Sequence, residues 1–340
     1  MFTVYETSAR PRRNSEASVL TSYSITSSPL SSHRSSVTSL SDLTANELAF
    51  QECIEVIDVN VEEVITNKAD AREKKWWIDG NYKIIDENRL PLILVEGVSY
   101  KEFEKKSEIA NASKYWEFQD GIVVIIELPN RDHEIAHYAF TKQFMRQDPQ
   151  DTVDYVGSTT CHATPGRITR GSSKQPDSSF VPRLLPKPAQ NPCDVQGNPW
   201  PTIIIEVANS ESLSRIMHKT TQFWLAPNRV EDVIVLKLWK WNSRRDQNGT
   251  PLRRLTCYKF CRRRSPLNVH GNFQPVQTIE FGNIDRNNQQ YNGCTTAGMS
   301  SLNITPRCIF RGCPQVSPYP IPNHVIIDFF PIQQSIFRAM

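Results

Sequence analysis

The length and composition of the chain limit the classes of protein to which it can belong. Its 340 residues suffice for one large domain with appendages or for two ordinary domains. Lys and Arg number 39 against 36 Asp and Glu, so the net charge of +3 is too small for a protein that coats nucleic acid with its whole surface. No apolar run reaches the roughly 18 residues needed to cross a bilayer, so we expect no membrane segment. Because the net charge is small, any nucleic-acid site must come from a local basic patch.

The N-terminal sequence and the cysteines predict an intracellular protein. Near Met1 there is no apolar run of signal-peptide length, and the early arginines are followed by a Ser/Thr-rich stretch. Eight cysteines in a chain without an export signal are typical of reduced thiols rather than of a disulfide framework. We therefore expect a cytoplasmic or nuclear location.

The chain divides into segments of different composition. Residues 1–43 are rich in Ser, Thr and Arg and cannot bury enough apolar surface to offset their ordering entropy, which predicts a disordered tail. Residues 44–91 have apolar spacing close to helical and predict a helical linker region. A folded domain is predicted over residues 92–261, followed by an irregular polar insertion over residues 262–320. Residues 321–340 predict a strand and a helix that dock on the domain.

Turn and capping signals predict the first elements of the domain. After a short apolar strand from Leu92, Ser99 and Glu102 have the spacing of a capping box and predict a helix. Asp120-Gly121 is a preferred two-residue hairpin turn between strand-like sequences. The sequence RDHEIAHYAFTKQFMRQ then predicts a helix of about four turns, which ends at Asp148-Pro149.

The next part predicts a buried strand that carries a carboxylate. Strand-like pieces at Asp154–Val156 and Ser178–Val181 precede PWPTIIIEVANS, in which Glu206 directly follows three isoleucines. A core strand does not carry a charged residue without a reason. SESLSRIMHKTTQFWLA predicts a helix, and VEDVIVLKLWKW and PLRRLTCYKF predict two further strands. The predicted order around the acidic residues is strand, helix, strand, strand.

Two carboxylates and a lysine in this region suit metal-assisted phosphodiester hydrolysis. Such chemistry needs oxygen ligands for Mg²⁺ or Mn²⁺, an activated water, and a cation that stabilises charge on the phosphate. Asp177 opens a strand-like piece, Glu206 lies in the apolar strand, and Lys219 lies in the following helix. Taken singly, each has a commoner explanation: a turn aspartate, an edge-strand carboxylate and a solvated lysine. The hypothesis depends on their joint order.

That order, with its surroundings, resembles a known family. The stretches VSYKEF, YWEFQDGIVVIIELPNRDHEIAHYAF, KQPDSSFVP, TIIIEVANSES, HKTTQFW and VEDVIVLKLWKW resemble the restriction-endonuclease domain family common in bacteria, within the PD-(D/E)XK nuclease superfamily. The resemblance covers roughly Val98 to Trp241. The matching positions are Glu117, Asp120-Gly121, Pro129, His133, Pro176-Asp177, Glu206-Val207, Ser210 or Ser212, and Lys219 with Phe223.

The resemblance implies an α/β domain with a restriction-endonuclease-like mixed sheet flanked by helices. It implies that Asp177 and Glu206 are catalytic metal ligands and that Lys219 is the catalytic cation. In the simplest form of the superfamily the lysine lies two residues after the glutamate, where this chain has Ala208. The family resembled supplies it from the following helix. Arg215 stands where many members have an Asp, and an arginine there would suit a phosphate contact.

Further residues extend the predicted site, each with an alternative. Glu117 is either another acidic member of the site or a hairpin residue. His133 and His137 share one helical face, which suits metal binding in general but here favours a structural or supporting role. Ser210 and Arg215 join the candidate site through the family pattern.

A basic run follows the last predicted strand of the domain. Arg262, Arg263 and Arg264 are predicted to contact a nucleic-acid backbone. The alternatives are solvated turn residues, which are commoner, or a nuclear-localisation signal.

The leading function predicted from the sequence is a metal-dependent endonuclease that hydrolyses DNA. The main alternative is a catalytically degenerate domain that binds nucleic acid or protein. A third hypothesis places a zinc module in residues 257–313, with Cys257, Cys261, Cys308 and Cys313 as ligands, although their loose spacing is more typical of unrelated thiols. DNA is the expected partner and no small-molecule cofactor is expected, while the sequence leaves a homodimer open.

Overall fold

The computed structural model describes residues 90–109, 116–127, 130–163, 172–269, 271–314 and 318–340. The predicted tail at 1–43 lies outside these residues, as does all but the end of the predicted linker at 44–91. The described chain has a mixed α/β fold, which confirms the predicted fold class. None of the described helices is both long and apolar enough to cross a membrane.

Strands outnumber helices in the described part of the chain. The strands are β1 (Leu92–Glu96), β2 (Trp116–Gln119), β3 (Ile122–Ile125), β4 (Val153–Tyr155), β5 (Cys161–His162), β6 (Ser172–Lys174), β7 (Ser178–Pro182), β8 (Ile203–Ala208), β9 (Asp232–Leu238), β10 (Leu255–Cys261), β11 (Gln277–Glu280), β12 (Ser301–Ile304) and β13 (Val325–Asp328). The helices are α1 (Tyr100–Ile109), α2 (Arg131–Met145), α3 (Leu213–His218), α4 (Pro306–Ile309) and α5 (Phe329–Ala339), and a π-helix (Lys219–Trp224) directly continues α3.

A six-stranded sheet in the order β11-β10-β9-β8-β7-β4 forms the main layer of the fold. Strands β8 and β9 are parallel, with Ile203 opposite Asp232, whereas the other neighbouring strands are antiparallel. A parallel pair needs a crossover connection, and α3 with the π-helix supplies it. Every residue of β8 and β9 is buried, as the apolar sequence of both strands predicts.

The alternation of side chains along β8 places Glu206 on one face of the main sheet. Ile203, Ile205 and Val207 belong to the core that contains the buried residues of α2 and α5. Ile204 belongs to the other core, which contains residues of α3 and the π-helix. Because successive side chains of a strand point to opposite faces, Glu206 shares the face of Ile204 and points toward the crossover helices.

A smaller sheet in the order β1-β3-β2-β6-β5 has its own core. Its β2–β3 hairpin turns at Asp120 and Gly121, whose φ values of 49° and 89° are the positive angles of the predicted turn type. Trp116 and Phe118 of β2 are buried in this core. Glu117 lies between them, so its side chain points to the other face of the small sheet.

The segment 262–320 contains more regular structure than its composition predicts. Strand β11 extends the main sheet along β10, and β12 pairs with β13. Buried apolar residues of this segment, among them Phe281, Leu302 and Ile309, join the core beneath α2 and α5. The two strands have only four residues each, which is too short for a periodic pattern to emerge from a sequence rich in Asn and Pro.

Candidate active site

The register of β7 and β8 brings Asp177 and Glu206 together. Ser178 lies opposite Ile205, so Asp177, one residue before β7, lies beside Glu206. Asp177 Oδ2 accepts a hydrogen bond from the backbone N–H of Val207 at 2.7 Å. Burial raises the pKa of the Glu206 carboxyl above its ordinary value, and the negative charge of Asp177 raises it further. The two carboxyl groups therefore interact electrostatically.

The π-helix supplies both groups that contact the Glu206 carboxylate directly. Lys219 Nζ lies 2.9 Å from Glu206 Oε2, and Trp224 Nε1 donates to Oε1 at 2.6 Å. The backbone N–H of Leu225 donates to the carbonyl of Thr220 at 3.0 Å, the five-residue span of a π-helical hydrogen bond. Burial alone would lower the pKa of Lys219, but the surrounding carboxylates, Glu206 foremost, raise it above its ordinary value.

Three cations surround Glu117, which reaches the site from the small sheet. Its Oε2 lies 2.8 Å from Lys174 Nζ and 3.0 Å from Arg215 Nη2. Its Oε1 lies 3.8 Å from Lys219 Nζ. Burial alone would raise the pKa of Glu117, but the positive charges of Lys174, Lys219 and Arg215 hold it well below its ordinary value. Glu117 is therefore an ionised member of the site.

His133 lies between two buried carboxyl groups. Its Nε2 is 3.4 Å from Asp177 Oδ2 and 3.8 Å from Glu127 Oε2. Burial opposes a charge on this imidazole, but Asp177 and the neighbouring carboxylates raise the pKa of His133 well above its ordinary value. Burial raises the pKa of Glu127 to about 7. Glu127 Oε1 also accepts from the backbone N–H groups of Asn209 at 2.7 Å and Ser210 at 3.0 Å, so Ser210 enters the site through its backbone.

A second group on α2 connects this helix to β7. His133, Glu134 and His137 each offer a ligand atom within 4.8 Å of the others, so they have the spacing of a metal site. His137 is also tied to the scaffold, because its Nε2 lies 3.0 Å from Glu134 Oε2 and its Nδ1 lies 3.1 Å from Ser178 Oγ. The helix thus holds Ser178, the neighbour of Asp177, in position.

Buried cations fix the loop that follows β8. Lys237 Nζ donates to the backbone carbonyls of Asn209 at 3.0 Å and Glu211 at 2.6 Å, and burial lowers its pKa to about 8. Arg253 donates to the side chains of Asp132 and Asn209. These contacts attach the loop to β9, to Arg253 shortly before β10, and through Arg253 to α2.

The composition of the site fits a hard divalent cation. Mg²⁺ and Mn²⁺ prefer carboxylate oxygens. Burial and the negative charges of neighbouring carboxylates raise the pKa of Glu127, Glu206 and Glu211. A bound cation would relieve the repulsion between these groups. The buried carboxyl groups of the site are Glu117, Glu127, Asp177, Glu206 and Glu211.

The basic run Arg262–Arg264 is not brought to this site. It follows Cys261, which lies opposite Asp232, the first residue of β9. Glu206 lies further along the sheet, opposite the fourth residue of that strand. Arg263 Nε lies 3.4 Å from Glu231 Oε2. This ion pair lies at the opposite end of these strands from Glu206.

Several residues of the site were not predicted from the sequence. Glu127 ends the run Ile125-Ile126-Glu127, the same signal of an apolar strand entering a carboxylate that identified Glu206. Glu211 lies in the loop after β8. Lys174 lies on the short strand β6, and Trp224 is the last residue of the π-helix. For Lys174 and Trp224 no sequence signal pointed to the site.

Comparisons with known proteins give a structural likeness. No protein-family model matches the chain, and no curated protein matches it. The chain is similar to a solved structure from Anabaena variabilis whose name reads "putative nuclease belonging to DUF820". The sequence identity is 13%, the likeness covers 70% of this chain and 99% of that chain, and the TM-score is 0.36.

Proposed function

We propose that this chain is a metal-dependent endonuclease that hydrolyses DNA phosphodiester bonds. The observation that carries the proposal is the meeting of Asp177, Glu206 and Lys219 at one buried place. Asp177, directly before β7, lies beside Glu206 of β8, and Lys219 Nζ lies 2.9 Å from the Glu206 carboxylate. Carboxylates that share a site with a lysine are the combination that metal-assisted phosphoryl chemistry requires.

Asp177 and Glu206 are the residues that would hold Mg²⁺ or Mn²⁺. When bound, the cation supplies a water of lowered pKa and stabilises charge on the phosphate. The backbone N–H of Val207 orients Asp177, and the imidazole of His133 faces the same carboxylate oxygen. His133 is therefore a positioning residue for Asp177.

Lys219, Lys174 and Arg215 are the cations available to a phosphate group. In the structure all three surround Glu117, at 2.8 to 3.8 Å from its carboxylate oxygens. Cations that gather around one carboxylate have the spacing to bind another oxyanion of similar size. We assign Lys219 the stabilisation of charge at the scissile phosphate, and Lys174 and Arg215 the contacts to the adjoining backbone.

A second candidate function is a degenerate nuclease domain that binds nucleic acid without cutting. One observation favours it: both oxygens of Glu206 already have protein donors, Lys219 Nζ at 2.9 Å and Trp224 Nε1 at 2.6 Å. A metal ion would have to compete with a buried ion pair for this ligand. The endonuclease proposal requires that Lys219 turn from Glu206 toward the phosphate when substrate and metal bind.

A cleavage assay on the full chain tests the proposal. Supercoiled plasmid and single-stranded DNA are incubated with Mg²⁺, with Mn²⁺ or with EDTA, and we expect cleavage only with metal. Asp177→Asn and Glu206→Gln keep the side-chain shape and should each abolish cleavage. Asp154→Asn is the matched control, because Asp154 is a half-exposed carboxylate on β4 that pairs with Arg183. This control should cut at the wild-type rate.

Lys219→Ala separates metal binding from catalysis. We expect it to lose rate while Mg²⁺ still raises the unfolding temperature, because a lysine stabilises the transition state without ligating the ion. Asp177→Asn should lose both rate and stabilisation by Mg²⁺. If the wild-type chain binds DNA but cuts neither substrate with either metal, the degenerate function is correct and the endonuclease proposal fails.

A further inference from the structure

A second group of metal-ligating side chains lies apart from the candidate active site. Asp232, Cys261 and Cys308 each offer a ligand atom, and these atoms lie within 4.8 Å of one another. Asp232 and Cys261 face each other across the β9–β10 pair, and Cys308 lies in α4. The two Sγ atoms are 3.9 Å apart although 47 positions separate the cysteines in sequence. All three residues are buried.

The carboxylate of this group has one cationic neighbour but no hydrogen-bond donor among the described residues. Asp232 has 0% exposure, and among the described residues neither of its oxygens accepts a hydrogen bond. Lys259 Nζ lies 3.1 Å from Oδ2 as an ion pair, and it also donates a hydrogen bond to the carbonyl of Asn303 at 2.6 Å. Lys259 compensates the charge of Asp232, but Oδ1 has no partner among the described residues and is therefore available as a ligand to a metal ion.

We propose that Asp232, Cys261 and Cys308 form a binding site for Zn²⁺. Zinc binds thiolate sulfur at about 2.3 Å in tetrahedral geometry, which places two sulfur ligands about 3.8 Å apart. The two Sγ atoms are 3.9 Å apart, which is close to this value, so zinc binding would not require the backbone to move. Zn²⁺ also accepts carboxylate oxygen, whereas Mg²⁺ and Mn²⁺ disfavour thiolates. The site is therefore distinct in chemistry from the carboxylate site at Glu206.

The charges around the group suit this exchange. Binding would replace the thiol protons of Cys261 and Cys308 by one Zn²⁺ ion, and each displaced proton would be released to solvent. Arg264 lies over the sulfurs, with Nε 3.3 Å from Cys261 Sγ and Nη2 3.8 Å from Cys308 Sγ. N–H groups that face ligand sulfur are the outer contacts that commonly stabilise bound thiolates. Arg264 thus belongs to this site.

The proposed ligands differ from the zinc module considered from the sequence. Of the four cysteines in that hypothesis, the structure brings Cys261 and Cys308 together, whereas Cys257 and Cys313 are not in the group. The carboxylate ligand comes from β9, outside the module. A zinc ion at this place would attach α4, and with it the segment 262–320, to the start of β9 and the end of β10.

Metal analysis of the full chain tests the proposal. The protein is purified under reducing conditions, stripped with a chelator and reloaded with Zn²⁺ or Co²⁺. We expect stoichiometric zinc, and with Co²⁺ the near-ultraviolet charge-transfer band of two thiolate ligands. Cys308→Ser should remove one thiolate from that band and weaken zinc retention. Cys257→Ser is the control, because Cys257 is a buried cysteine on β10, the strand that also carries Cys261, and it should retain both signals.

Three results would overturn the proposal. The first is a wild-type chain that takes up neither zinc nor cobalt after stripping. The second is a Cys308→Ser chain whose cobalt spectrum and zinc content equal those of the wild type. The third is a peptide map of the unreduced protein in which Cys261 and Cys308 are joined by a disulfide even when Zn²⁺ is present. The wild-type cobalt spectrum counts sulfur ligands directly, so it decides the question even if Cys308→Ser does not fold.

Discussion

Replacing Lys219 with methionine removes the cation that faces Glu206 and keeps a side chain of similar length. The ammonium group lies 2.9 Å from Glu206 and 3.8 Å from Glu117, and all three residues are buried. Removing one partner of a buried ion pair costs about 3–5 kcal/mol, because the other charge is left without compensation. We expect a loss near the lower end of that range, because Trp224 still donates a hydrogen bond to Glu206.

Urea unfolding of four chains measures this loss and assigns it. The chains are the wild type, Lys219→Met, Glu206→Gln and the double variant, each without added metal. The double variant should be more stable than the sum of the single losses predicts, with a coupling energy of about 1–3 kcal/mol. Lys142→Met is the control, since Lys142 is an exposed lysine on α2, and it should change the free energy of unfolding by less than about 0.5 kcal/mol.

A small effect of Lys219→Met would refute the reasoning. If the variant loses less than about 1 kcal/mol and shows no coupling to Glu206, Lys219 behaves as a solvated surface cation. The direct contact between the two residues would then not exist in solution, and the assignment of Lys219 to the site would fall with it.

Three further predictions test other parts of the structure. Trp224→Phe removes the indole N–H that Glu206 accepts and should cost about 1–3 kcal/mol in urea unfolding. Burial lowers the pKa of Lys237 from its ordinary 10.5 to about 8, so between these pH values the unfolded chain holds a proton that the folded chain has lost. The stability of the wild type relative to Lys237→Met should therefore rise with pH over that window, by on the order of 3 kcal/mol, in unfolding curves. Gly282→Ala should lower the melting temperature, because its Cβ would clash with the Arg253 carbonyl and lie 2.6 Å from the Leu255 nitrogen.

The central residues of the candidate site could be predicted because they lie on strongly patterned elements. Glu206 interrupts an apolar strand, and a carboxylate there is conspicuous in any sequence. The hairpin at Asp120-Gly121 and helix α2 carry equally strong local signals, and the structure has both. The order of motifs in the family that the sequence resembles then indicated Asp177, before this strand, and Lys219, after it, as members of the same site.

The other residues of the site depend on contacts that no local pattern encodes. Lys174 reaches Glu117 because β6 pairs with β2, a pairing between strands more than 50 positions apart. Asp232 reaches Cys308 because the segment 262–320 folds back on the sheet. Such long-range pairings are set by the packing of the whole domain, and a strand of three or four residues gives no periodic signal of them.

The π-helix makes this region sensitive to chain length rather than to composition. In an α-helix, residues five positions apart point about 140° away from each other, so Lys219 and Trp224 could not both reach one carboxylate. The wider turn of a π-helix brings positions five apart onto the same side. Deleting a single residue such as Thr221 would leave the two donors four positions apart, and residues four apart share a face only in an ordinary α-helix. Both donors would then still face Glu206 only if the π-helix became an α-helix. Conservative substitutions at Thr221 or Gln222, which are not among those donors, would leave that spacing intact.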